Sequence, residues 1–198
     1  ICRPGVRAQV TQRAGAAERE ITPPVGHQIQ HYFRLSVGVH DPLFARCLYL
    51  EDAEKNSLVI ICLDLIFGGF KTCDELRAEI KKRLGIENTL VNFSHSHSSA
   101  SLGTRGHTEI SNDTDSKWND ATLDKILAIV KEAKKRAEPV SLRVGRAPVQ
   151  VGFNRRLVNK QNGHVYMGVN RKGPVVPWVN VLAADSIKSG KPIAVLYE

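Results

Sequence analysis

Apolar and β-branched residues are concentrated in two neighbouring segments, "LFARCLYLED" (43–52) and "SLVIICLDLIFGG" (57–69). The polar "AEKN" lies between them, and this pattern predicts a hairpin of two adjacent antiparallel strands. "EREITPPVGHQI" is a shorter extended piece that Pro23, Pro24 and Gly26 interrupt. Similar patterns predict strands in "TLVNFSH", "VSLRVGRAPV", near 178–184 and near 192–197, the last two joined by a "KSGK" turn.

Two segments show helical spacing instead. "TCDELRAEIKKRLG" (72–85) places Leu76, Ile80 and Leu84 on one stripe. Thr72 or Asp74 could cap its start, and Gly85 could end it. "NDATLDKILAIVKEAKKRAEP" (119–139) is the clearest helix pattern, with apolar residues three or four apart. The polar residues 98–118 and the Gly- and Pro-broken segment from Gly152 are predicted to be loops.

This order of elements predicts an α/β protein with a mixed β-sheet sandwich flanked by helices. Residues 1–198 are predicted to form one domain fragment, the N-terminal part of a larger catalytic domain, with 1–13 as an extended leader. An ending directly after the apolar "PIAVLY" favours a truncated or cleaved chain.

The chain has 28 Lys and Arg residues against 20 Asp and Glu residues, a net charge of +8. The basic residues are dispersed, so the sequence does not favour a nucleic-acid function, and no apolar run is long enough to span a bilayer. The four cysteines include no C-x-x-C pair. Buried free thiols are the interpretation favoured for Cys47 and Cys62, which lie in apolar runs.

His95 and His97 are the strongest candidates for chemistry, in "LVNFSHSHSSASLG" (90–103). On a continuing strand both imidazoles would share a face, so both could reach one metal ion, or one ion and one substrate oxygen. Alternatively, the pair ends a strand and meets serine hydroxyls. The carboxyl end of a strand before a long polar loop favours an active site.

Other polar residues could complete such a site. Asp64, late in a buried strand, could accept a hydrogen bond from a metal-binding histidine or from a turn at Gly68-Gly69. Arg155, in the predicted loop "VGFNRRLVN", could bind an oxyanion or simply be solvated.

Remaining histidines are less informative. His40 and Asp41 could be a site pair or a turn. The sequence favours surface positions for the other four histidines, His27, His31, His107 and His164. The serines after His97 lack a G-x-S-x-G motif, so a serine nucleophile is disfavoured.

"AGAAEREITPPVG", "GVHDPLFARCLYLED", "LVIICLDLI", "LVNFSHSHSSA" and "VGFNRR" occur in this order along the chain. Together they resemble the N-terminal catalytic domain of the neutral/alkaline (non-lysosomal) ceramidase family, over about Ala14 to Tyr197. The resemblance implies zinc-dependent amide hydrolysis. It implies that His95 binds the zinc and that His97 and Arg155, or the adjacent Arg156, contact the reacting group.

Two features depart from the family pattern. Ser99-Ala100 replaces Gly-Pro, which leaves the substrate open. The family's other zinc ligands, a histidine, a glutamate and a tyrosine, lie beyond Glu198, so we expect a companion chain or a further segment to supply them.

The expected function is therefore a zinc-dependent hydrolase of a ceramide-like or related N-acyl amide. The alternatives are a hydrolase of the same fold acting on another amide or ester, and a non-catalytic fragment that binds a partner through basic residues. A lipid amide substrate, peripheral membrane contact, no nucleic-acid partner and a secreted or periplasmic location are the accompanying expectations.

Overall fold

A seven-stranded sheet forms the centre of the computed structural model, which describes residues 12–29, 34–103 and 113–198. Its strands, in spatial order, are β11 (Pro192–Tyr197), β10 (Trp178–Ser186), β7 (Glu138–Pro148), β1 (Gln12–Glu20), β4 (Phe44–Glu51), β5 (Ser57–Leu63) and β6 (Asn88–Phe93). Two small sheets join β2 (Gln28–Ile29) to β3 (Arg34–Leu35) and β8 (Asn154–Val158) to β9 (Val165–Asn170).

All neighbours in the large sheet are antiparallel except β5 and β6, which are parallel. The predicted mixed α/β architecture and the β4–β5 hairpin are therefore confirmed. Because β5 and β6 are parallel, both end at the same edge of the sheet. The polar candidates of the sequence follow these two strands.

Helix α1 (Phe70–Leu84) connects β5 to β6, and α2 (Asp113–Arg136) precedes β7. The predicted caps at Thr72 and Asp74 are wrong, because α1 begins after Gly69 without a side-chain cap. The Thr72 hydroxyl instead donates to the Gly103 carbonyl. The predicted end is confirmed: Gly85 adopts a left-handed conformation (φ 64°), and its N–H donates to the Lys81 carbonyl.

Both helices pack on one face of the sheet, where they bury the main core. Residues 17, 45, 47, 49, 59 and 61 of β1, β4 and β5 contact the apolar faces of α1 and α2 there. Helix α2 lies unusually close to β1: a Cβ built on Gly15 would be 2.1 Å from the Ala133 carbonyl oxygen. Only glycine fits at position 15 without moving the helix.

The opposite sheet face is mostly uncovered within the described residues. A small cluster of Ala14, Leu48, Val140 and Ala184 is buried there, but Leu90 and Val144 are 56% and 77% exposed.

Two loop predictions are corrected by the structure. The segment after Gly152 contains the hairpin of β8 and β9, and residues 113–118 of the predicted loop 98–118 belong to α2. Alternation is weak in "NRRLV" and "VYMGVN", and this hairpin has little buried surface, so hydrophobic patterning gave no sign of it.

Candidate functional site

The segments that follow β5 and β6 are joined by backbone hydrogen bonds into one platform. The bonds run from the N–H to the carbonyl oxygen at 2.9–3.2 Å, and their pairs are Ser94 to Leu63, His95 to Leu65, Ile66 to Ala100, Leu102 to Phe67 and Gly69 to Leu102. Because β5 and β6 are parallel, a hairpin turn cannot join their ends. The hydrogen bonds between the two segments instead pair backbone N–H and carbonyl groups that would otherwise lack partners. Residues 94–102 are thus held rigidly against residues 63–69.

His95 occupies this platform in a left-handed backbone conformation, with φ 58°. Histidine is among the non-glycine residues that tolerate this region best, but the conformation still has a cost that its surroundings must offset. Its N–H bonds the Leu65 carbonyl, and its Nδ1 lies 2.9 Å from the Ile66 carbonyl oxygen.

That second contact determines the tautomer of His95. A carbonyl oxygen can only accept, so Nδ1 must carry the proton and donate it to Ile66. In the neutral ring Nε2 then has its lone pair available, on a residue that is exposed. A metal-binding histidine commonly donates its other ring N–H to a backbone carbonyl in this way.

His97 lies beside His95, with ring centroids 4.8 Å apart and the rings nearly perpendicular at 82°. The prediction that the two residues come together is confirmed, but the strand geometry on which it rested is wrong. Strand β6 ends at Phe93, and His97 lies in a turn. The left-handed backbone conformation of His95, rather than the alternation of a strand, brings the two rings together.

Neither prediction for Asp64 is correct. Its Oδ2 accepts hydrogen bonds from the Phe44 N–H at 3.0 Å and from the Arg46 guanidinium at 2.8 Å. Arg46 also pairs with Glu18, at 3.0 Å. Asp64 therefore ties the end of β5 to the start of β4, and its carboxylate is satisfied without a histidine or the Gly68-Gly69 turn.

A cavity of about 330 Å³ lies beside the histidine platform. Ser96, Ser98 and Ser99 line one side, and residues of the segment 22–43, including His27, His40 and Asp41, line the other. His40 Nδ1 is 2.8 Å from the Asp41 carboxylate on an exposed loop. The structure thus brings the predicted His40-Asp41 pair to the same region as the "SHSHSS" segment.

His27 was predicted to be a surface residue, and this is wrong. Only 4% of it is exposed, and its ring lies 4.7 Å from the ring of Trp118. The Trp118 indole N–H donates to the Ile21 carbonyl, at 3.0 Å. The burial of His27 could not be predicted from the sequence, because this residue follows a turn that contains Pro24 and Gly26. It packs against Trp118 of α2, which is far away along the chain. His164 is exposed as predicted, and His31 and His107 lie outside the described residues.

Arg155 is not in a loop but at the start of β8, within a bulge between Asn154 and Arg156. In the described part of the chain, its guanidinium contacts the sulfur of Met167 rather than either histidine. Strand β7, which leads to this hairpin, pairs antiparallel with the N-terminal half of β1. The predicted role of Arg155 therefore rests on the sequence resemblance.

The residues present supply only part of a zinc site. No group of three His, Cys, Asp or Glu side chains able to hold a metal occurs in residues 12–29, 34–103 and 113–198. His95 fits the chemistry of a single zinc ligand, because its Nδ1–H is anchored and the lone pair of the neutral ring is then on Nε2. A catalytic zinc requires three protein ligands, so the others have to come from elsewhere.

Cysteines add no ligand to the platform. Cys47, Cys62 and Cys73 are free thiols, and Cys2 lies outside the described residues. The prediction of a buried thiol is confirmed for Cys47, whose pKa burial raises to about 12. Cys62 is only half-buried.

Comparisons with known proteins identify the fold. No protein-family model and no curated protein sequence matches the chain. Among solved structures, neutral ceramidase from Pseudomonas aeruginosa is similar at a TM-score of 0.68 and 18% identity, over 96% of this chain and 32% of that one. A structure described as ceramidase complexed with C2 is similar at 0.68 and 20% identity, over 96% of this chain and 31% of the other.

The chain thus spans about a third of the length of these structures. None of its described helices is long and apolar enough to cross a bilayer. The seven-stranded mixed sheet, with the histidine platform at the end of β5 and β6, has the fold of part of neutral ceramidase.

Proposed function

We propose that this chain forms part of a zinc-dependent hydrolase that cleaves the N-acyl amide bond of a ceramide-like lipid or a related substrate. The observation that carries the proposal is the anchored, unprotonated-Nε2 tautomer of His95, beside His97, on a fold shared with ceramidases. An imidazole fixed in this tautomer is prepared to bind a metal ion.

A bound zinc ion would act as a Lewis acid on the substrate carbonyl and lower the pKa of a water molecule. His95 would contribute one ligand, and a companion chain or a further segment would contribute the others. His97, half-buried and adjacent, holds or transfers a proton or donates a hydrogen bond to the developing oxyanion. Arg155, following the sequence resemblance, binds the same oxyanion.

The cavity of about 330 Å³ lies beside the platform, where a substrate could enter. Ser99-Ala100, which replaces Gly-Pro of the family pattern, is buried beneath that cavity. The substrate class therefore extends from ceramide to other N-acyl amides of similar polarity. A secreted or periplasmic location accompanies this proposal, because members of the family that the sequence resembles are commonly exported or membrane-associated.

The test uses the complete protein with any companion chain. Zinc content is measured by plasma mass spectrometry, and hydrolysis is measured with a fluorescent N-acyl sphingosine and a fluorescent carboxylic ester. We expect stoichiometric zinc, loss of zinc in His95→Ala, and retained zinc with a rate about 10²–10⁴-fold lower in His97→Ala. The exposed His164→Ala is the control and should change neither quantity.

Each alternative gives a different result. Protein without stoichiometric zinc would exclude the zinc hydrolase and favour the non-catalytic fragment. Cleavage of the ester without measurable cleavage of the amide would favour another hydrolase of the same fold. Equal zinc loss in both histidine variants would mean that His97 is a ligand and that the two roles are assigned wrongly.

A further inference from the structure

Most of the protein's net charge comes from one continuous stretch. Residues 139–184 contain seven of the 28 Lys and Arg residues and none of the 20 Asp and Glu residues, which accounts for seven of the eight net positive charges. The expectation that the basic residues are dispersed is therefore wrong for net charge, because outside this stretch they are nearly balanced by acids. The charge is therefore strongly localised.

Five of these cations belong to the hairpin of β8 and β9 and its flanks, residues 153–172, called here the basic hairpin. They are Arg155, Arg156, Lys160, Arg171 and Lys172. The ion pairs within the described residues include none of the five. Arg171 instead lies 4.9 Å from the ring centroid of Phe153. These charges are therefore not neutralised by carboxylates in the described structure.

One face of the basic hairpin carries an apolar stripe that no other described residue covers. Val158 and Val165 are cross-strand partners, and so are Arg156 and Met167. Because alternate residues of a strand share a face, Val165, Met167 and Val169 project with Val158 from the same side. All four are exposed, Met167 by 73%. The two-stranded sheet thus carries a stripe of exposed aliphatic side chains. Cations that have no carboxylate partner among the described residues lie beside this stripe.

We propose that the basic hairpin docks the protein on the surface of an anionic lipid membrane. Aliphatic side chains and a methionine enter the headgroup region, while the arginines and lysines around them meet phosphate groups. This pairing of exposed apolar area with positive charge is the requirement for interfacial binding. A nucleic-acid surface would stack aromatic side chains on the bases; the hairpin exposes Phe153 and Tyr166, but its continuous apolar stripe is aliphatic.

Docking of this kind goes beyond the proposed hydrolysis and does not depend on it. The assay measures co-sedimentation of the complete protein with vesicles in a chelating buffer, so zinc and turnover play no part. One set of vesicles contains phosphatidylcholine alone, and the other contains phosphatidylcholine and phosphatidylglycerol in about equal amounts. We expect binding to the anionic vesicles only, weakening steeply as the salt concentration rises.

Two variants and a matched control localise the contact. Arg171→Gln/Lys172→Gln should weaken binding about 30-fold, because each cation near an anionic surface contributes roughly a factor of five. Met167→Gln should weaken it several-fold and leave its salt dependence unchanged. Lys131→Gln/Lys135→Gln removes the same charge from exposed positions of α2 and should have little effect.

Four results would overturn the proposal. The first is that the protein does not bind anionic vesicles, and the second is that the α2 variant weakens binding as much as the hairpin variant does. The third is that Met167→Gln leaves vesicle binding unchanged. The fourth is that a single-stranded RNA oligonucleotide binds through the same residues more tightly than the vesicles do. Concentration-dependent dimers in light scattering that Met167→Gln abolishes would also overturn it, because the stripe would then be covered by a second copy of the chain.

Discussion

Replacing His95 by asparagine, glycine and alanine separates three properties of this residue. They are the hydrogen bond from Nδ1, the proposed metal binding by Nε2, and the left-handed backbone conformation. The amide nitrogen of asparagine occupies nearly the position of Nδ1, so it can still donate to the Ile66 carbonyl. Asparagine also tolerates a φ near 58°. It has no counterpart of Nε2. Glycine keeps the backbone conformation alone, and alanine keeps neither.

The expected stabilities follow from these differences. Loss of the hydrogen bond from the side chain to Ile66 costs about 1 kcal/mol, since such bonds contribute roughly 0.5–1.5 kcal/mol. Forcing alanine into the left-handed region adds about 1 kcal/mol. The free energy of unfolding should therefore be nearly unchanged in His95→Asn, lower by about 1 kcal/mol in His95→Gly, and lower by about 2 kcal/mol in His95→Ala.

Urea denaturation in a chelating buffer measures this order, because bound metal would otherwise add its own stabilisation to the folded state. Zinc content is measured on the same proteins without the chelator, and all three variants should lose it. If His95→Asn is as unstable as His95→Ala, the Nδ1-to-Ile66 bond does not hold the residue. If His95→Asn keeps its zinc, Nε2 is not the ligand.

Three further predictions concern the core that supports the site. Gly15→Ala should lower the unfolding free energy by at least 1–3 kcal/mol in urea, because its Cβ would overlap the Ala133 carbonyl, whereas Gly145→Ala, with open space around it, should change little. The pKa of Cys47 is raised to about 12 in the folded state, so stability should fall as the pH rises from about 9 to 12, and Cys47→Ala should reduce that slope in pH-dependent denaturation. Trp118→Phe should lower stability by about 1–3 kcal/mol in a thermal melt, because a buried carbonyl loses its donor. Equal effects of the two glycine variants, an unchanged slope, or an unchanged melting temperature would contradict the respective packing arguments.

Patterns that depend on near neighbours in the sequence predicted the larger elements well. The β4–β5 hairpin and both helices are visible as apolar periodicity because each buries a broad face against the main core. The hairpin of β8 and β9 was missed for the opposite reason. Its strands expose most of their side chains, so no alternation of buried and exposed positions constrains their sequence.

Side-chain partners far apart in the sequence could not be predicted. Asp64 was expected to need a partner, and it has one. That partner is Arg46, which belongs to the neighbouring strand β4. His27 gave no sign of burial because its neighbour, Trp118, lies on α2. The proximity of His95 and His97 was anticipated through strand alternation, although a left-handed turn produces it. The proximity of the two histidines was thus predicted correctly from a local geometry that was wrong.

Arg155 is the residue on which the two proposals meet, and it can distinguish them. It lies in the basic hairpin and contacts Met167, yet the sequence resemblance assigns it to the reaction. Arg156, its neighbour in the same strand and the other arginine that the resemblance allows, is the matched comparison. Alanine at either position should weaken vesicle binding about fivefold, because each removes one cation.

Only Arg155→Ala should also slow hydrolysis of a water-soluble, short-chain N-acyl amide, by about 10²–10³-fold, the usual effect of removing one oxyanion donor. Because the guanidinium of Arg155 contacts Met167 in the described structure, such an effect would require the Arg155 side chain to reach the histidines in the complete protein. Equal rates in the two variants would leave Arg155 as a surface cation of the hairpin, and the oxyanion would then be bound by His97 without it.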